Sequence, residues 1–163
     1  MKQESGLTSA STIEAIEDIT AAAGWEFERI DEDEVAVIVT NSTTQYRLHF
    51  LWHKEFEMLY IACFADIEGL DSNDLELQRL IFMSNQRLWL GHFDVFEDKS
   101  LVLRHTLPLR GVGSLNVEQI EDLIDVTLGQ FNLFYPAFKH MLIEGASARE
   151  SFDSALIDTA GEA

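Results

Sequence analysis

The spacing of apolar positions changes several times along the chain, and each change marks an expected element. Ile13, Ile16 and Ile19 recur at helical intervals, and Ser11 with Glu14 has capping-box spacing, so a first helix is expected to begin at Ser11. Gly24, after three alanines, fits the left-handed residue that closes a helix. From Trp25 the period shortens to two: "WEFERI" and "VAVIVT" flank the acidic turn "DEDE", and "QYRLHFLW" and "MLYIACFA" flank "HKEFE". Four consecutive antiparallel strands are the natural reading. "DSNDLELQRLIFMSNQRLWLG" then predicts a helix, capped by Asp71 or Ser72, closed by Gly91, with Leu77, Leu80, Ile81, Ser84 and Leu88 along one side.

A second hairpin follows, in which "HFDVFE" and "LVLRHTLPL" enclose "DKS". A three-residue loop there sets Phe93, Val95, Leu101, Leu103, His105 and Leu107 on one face and the mostly polar His92, Asp94, Val102, Arg104 and Thr106 on the other. Asn116 with Gln119 opens a last long helix, in which Val117, Ile120, Ile124, Phe131, Phe134, Phe138 and Met141 recur at threes and fours. Pro136 lacks the amide hydrogen that a helix interior uses, which predicts a kink near Asn132. The expected fold class is α+β, an antiparallel sheet with helices packed on one face in the order α-β-β-β-(β)-α-β-β-α. Residues 1–10 are expected to be a flexible start, 11–145 a single domain, and 146–163 an acidic flexible tail in which only Phe152, Leu156 and Ile157 could anchor.

The hairpin between residues 45 and 65 carries the strongest hint of function. A loop centred on Lys54 and Glu55 places Tyr46, Leu48, Phe50, Leu59, Ile61 and Cys63 on one face, which reads as core. The other face then holds His49, Leu51, Met58, Tyr60 and Phe64, too apolar for open water on a sheet whose helices cover one side. Three covers are possible: a second copy of the chain, a segment of another protein, or the chain's own tail. Leu51, Met58, Tyr60 and Phe64 are therefore candidate residues of a partner-binding or dimer face, with Phe134 and Phe138 of the last helix beside them.

Composition narrows the partner. The formal net charge of −18 repels phosphate backbones and anionic lipid, so neither nucleic acid nor a membrane surface is expected. The chain lacks a signal-peptide core and any run of about 18 uncharged apolar residues, which points to the cytoplasm.

The search for chemistry returns little. None of the five histidines falls in a metal-ligand spacing, and the three-residue register separates His92 from His105. His49 and His53 share a strand side with Arg47, as an ordinary half-exposed face would. The acid pairs Glu32/Glu34 and Glu118/Glu121 lie in a turn and a helix start, where acids are favoured locally. Cys63 reads as a small buried hydrophobe, and "LRGVGSLN" carries only G-x-G. No catalytic residue, metal or cofactor is expected. A rival reading is a small-molecule sensor or an enzyme with a pocket between the sheet and the C-terminal helix, using Arg47, Arg87 or Arg104 to hold an anion.

Taken with the order of elements, "NQRLWLGHFDVFEDKSLVLRHTLPL" and "FNLFYPAFKHML" resemble the bacterial YbjN family from about Ile13 to Gly145. That family's fold resembles the type III secretion chaperones. The resemblance implies a non-enzymatic, often dimeric α+β domain that regulates sensory transduction. Its chaperone-like relatives hold an unfolded client segment against their sheet and helices.

Overall fold

The structure, a computed structural model, describes residues 9–41, 44–67, 69–112 and 115–160. Helix α1 (Ser9–Ala22) leads into strands β1 (Glu26–Arg29), β2 (Glu34–Thr40), β3 (Gln45–His53) and β4 (Met58–Ala65). Helix α2 (Leu75–Asn85), strands β5 (His92–Val95) and β6 (Leu101–Pro108), and helices α3 (Val117–Glu144) and α4 (Ala148–Ala160) complete the chain. The strands form one antiparallel sheet in the order β1-β2-β3-β4-β6-β5. This is the α+β class expected, with α4 in addition.

Helix α1 starts at Ser9, so Ser11 lies within it rather than at its cap. The loose start expected over 1–10 otherwise lies outside the described residues. Asp74, not Asp71 or Ser72, caps α2, its carboxylate accepting the Glu76 amide at 2.9 Å. Asp71 instead accepts the Asn73 amide within the preceding turn. The helix closes after Asn85, and Gly91 serves the entry to β5. Asn116 and Gln119 form the expected capping box on α3, which runs unbroken through Gly129 and Pro136.

Both hairpins keep the expected faces but not the expected pairings. His53 pairs with Met58, which centres the first loop on Glu55 and Phe56, and Val95 pairs with Leu101, which makes the second loop Glu97–Lys99. Each pairing is displaced by two positions, and an even displacement leaves every side chain on its own side of the pleat.

Ile13 and Ile16 of α1, Tyr46, Leu48 and Phe50 of β3, Leu59 and Ile61 of β4, and Phe131, Phe134 and Phe138 of α3 form one core. Phe93 is the hinge of its aromatic part, 5.2 Å from Phe131 and 5.1 Å from Phe138 by ring centroids. The tail expected to be flexible is helix α4 over residues 148–160. It buries Ala148, Ser151, Phe152 and Ala155 against α3 and α2, with the Phe152 ring stacked on Phe134 at 5.9 Å. Ser147 and Glu150 cap it reciprocally: the Glu150 carboxylate accepts the Ser147 amide at 3.0 Å, and the Ser147 hydroxyl accepts the Glu150 amide at 3.3 Å.

Candidate functional site on the helix-free sheet face

Register fixes which side chains share the second face. Cross-strand rows run Ile38–Arg47–Phe64–Val102, then Ala36–His49–Ala62–Arg104, then Glu34–Leu51–Tyr60–Thr106. Among the described residues, none of these joins the helix-packed core. Ala36, Ala62 and Val102 are buried on this side nonetheless, while Leu51, Met58, Tyr60 and Phe64 are half-buried by their own neighbours. Helix α4 lies against α2 and α3, which removes the chain's own tail, over 148–157, from the three covers considered.

The middle row is short because alanine supplies two of its members, and a hollow of about 560 Å³ opens over Ala62. Leu51, Tyr60 and Phe64 wall it, and Phe96 closes one side from the β5–β6 loop, its ring edge-on to Phe64 at 5.4 Å. The His49 ring meets Phe64 edge-on at 5.7 Å while its Nδ1 lies 2.9 Å from the Glu34 carboxylate. Asp98 accepts both the amide and the hydroxyl of Ser100, and these hydrogen bonds hold its carboxyl below the usual carboxylate range. Arg104 is engaged by Asp94 at 2.6 Å and donates from Nε to His92 at 3.1 Å. Arg47 makes no hydrogen bond or ion pair among the described residues; it is exposed, and it also lines an adjoining hollow of about 350 Å³ with Tyr135 and Lys139.

The candidates therefore divide. Leu51, Met58, Tyr60 and Phe64 stand together on this face. Phe134 and Phe138 do not: both are fully buried beneath the opposite face, where Phe93 packs on each, and a partner docking on the folded chain would not reach them. Their helical spacing reads equally as a core stripe, which is what they form. Phe96, Ala62, Asp98 and Ser100 were not apparent as site residues, because their convergence depends on where the second hairpin folds over β4.

Cys63, Tyr46 and His105 stand away from this hollow, on the opposite side of the sheet. Burial pushes the Cys63 thiol up, away from the reactive thiolate. Burial, reinforced by the nearby Cys63, pushes the Tyr46 hydroxyl up to about 12, and it donates to the Asn132 side chain across to α3. His92 and His105 lie on opposite faces, as the register predicts. Burial lowers the His105 pKa, with a smaller effect from His92. No helix among the described residues is long and apolar enough to cross a membrane.

The YbjN family model, described as "Putative bacterial sensory transduction regulator", matches residues 12–140. Comparison with curated proteins and with solved structures finds no match.

Proposed function

Since the chain belongs to the YbjN family, we propose that it is a cytoplasmic, non-enzymatic regulator that docks protein on the helix-free face of its sheet and acts as a homodimer. One observation carries this reading: Leu51, Met58, Tyr60 and Phe64 cluster on a face that no helix among the described residues covers. Apolar clusters of that kind on a sheet are uncommon unless something docks there. The polar pairs at its borders, Glu34 with His49 and Asp94 with Arg104, give the polar rim that surrounds the apolar centre of an interface. Met58 and the aromatic residues suit adaptable contact with protein. A two-fold dimer would set the same face of each copy against the other, which satisfies both surfaces at once.

Sedimentation velocity at micromolar concentration tests the proposal. The wild type is expected to run as a dimer, and a Tyr60→Glu/Phe64→Glu variant as a monomer with an unchanged far-ultraviolet spectrum. A monomeric wild type that also retains no more protein from native lysate than the variant would sink the proposal.

A further inference from the structure

We propose that the hollow over Ala62 is a binding site for a small organic carboxylate with an apolar body, held through Arg47. Small-molecule sites are clefts of roughly 300–1,000 Å³ with apolar walls and a few placed polar groups. The hollow, at about 560 Å³ and walled by Leu51, Tyr60, Phe64 and Phe96, falls within that range.

The class of ligand follows from which polar groups are already spent. Glu34 is engaged by His49, Asp98 by Ser100, and Arg104 by Asp94. Arg47 alone among these keeps its donors unfilled, and a guanidinium presents them in a planar fork that fits the two oxygens of a carboxylate. A cationic ligand would approach Glu34 and Asp98, whose oxygens His49 and Ser100 already engage, and would set its charge against the open fork of Arg47. A neutral one would leave its fork unused. A doubly charged phosphate would stand in the same hollow as Glu34 and Asp98, so a single negative charge is the better match. Lys139, its ammonium 5.1 Å from the Tyr135 ring centroid, adds a second positive charge along the adjoining hollow, which Asp66 also lines. At a net charge of −18 the long-range field opposes any anion, so recognition has to come from these local cations.

This inference does not rest on protein docking, although it uses Tyr60 and Phe64, and the test keeps the two apart. Isothermal titration of the full chain with 4-phenylbutyrate and octanoate, and with their primary amides, measures the value of the charge. The carboxylates are expected to bind the wild type at least about tenfold tighter than the amides, as a charge-assisted hydrogen bond supplies. Arg47→Gln is expected to bring acid and amide to parity, and Phe64→Ser to weaken both, with near-ultraviolet spectra confirming the fold of each variant. Equal binding of acid and amide by the wild type, a preference that survives Arg47→Gln, or no binding of either acid at millimolar concentration overturns the site. Sedimentation velocity on the same samples reports on docking separately: a monomer that keeps the carboxylate preference removes only the dimer, and a dimer without it removes only the site.

Discussion

At Gly91 two demands coincide in one residue. Its φ of +72° lies in the left-handed region, and a Cβ there would stand 2.5 Å from the Arg104 carbonyl oxygen. Gly111 shares the first demand, with φ at +77°, but not the second, since nothing lies within 4 Å of its Cβ position. The pair separates conformational cost from steric cost. Gly111→Ala should cost about 1–2 kcal/mol, the penalty of a left-handed L-residue. Gly91→Ala should cost about 3 kcal/mol or more, because the β5 entry must also move off β6. Urea unfolding of both variants checks this, and equal losses would show that the strand entry yields freely. The consequence reaches the candidate site, because Arg104, whose carbonyl Gly91 approaches, is one of the charged residues of the proposed docking face. Sequence reading correctly singles out Gly91 as special, but assigns it to a helix end. The carbonyl that excludes a side chain is contributed from thirteen residues further on, and no local pattern reveals it.

Between elements, side-chain amides complete what backbone leaves open. The Asn85 side chain accepts the Phe93 amide at 2.7 Å and donates to the Phe93 carbonyl at 3.1 Å, so the end of α2 satisfies the edge strand β5. Gln130, buried on α3, accepts the amides of Trp89 and Leu90 and donates to the Leu90 carbonyl at 2.7 Å, which fixes the loop between α2 and β5. Gln130→Leu should therefore cost about 2–3 kcal/mol, since backbone groups lose partners that water replaces only in part. Thermal unfolding gives the loss, and amide exchange should quicken first at Leu90. A change below about 0.5 kcal/mol would mean that solvent substitutes fully. Such links explain what was legible. The alternation in "QYRLHFLW" and "LVLRHTLPL" determines faces, because burial acts on every second residue, whereas pairing depends on loop geometry and came out displaced by two. Helix α4 was missed for a different reason. Ala148, Ser151, Phe152 and Ala155 form a stripe whose only large member is Phe152, and small residues carry little apolar signal until the groove they fill exists.

For the molecule as a whole, the two sheet faces carry different things. One face is anchored by α1 and α3 and supplies stability; the other carries the hollow and the apolar cluster. Helix α4 belongs wholly to the first: it covers Phe134, and its first amide, that of Ala148, donates to the Glu76 carboxylate of α2 at 2.7 Å. It also lies beyond residue 140, where the family match ends. Stability and binding should thus be separable by changes in α4. Phe152→Ala removes a ring that is nearly fully buried and leaves a cavity beside Phe134, at a cost of about 3–5 kcal/mol. Deleting residues 146–163 should cost at least as much and bring aggregation, because the side of Phe134 that α4 shields would face water. Under conditions where Phe152→Ala is still folded, its sedimentation and its carboxylate preference should match the wild type, since no atom of the helix-free face has changed neighbours. Chemical denaturation together with sedimentation velocity decides the matter. A cost below about 1 kcal/mol would mean that α4 is not docked in solution, and altered assembly at full folding would mean that α4 acts on the proposed docking face.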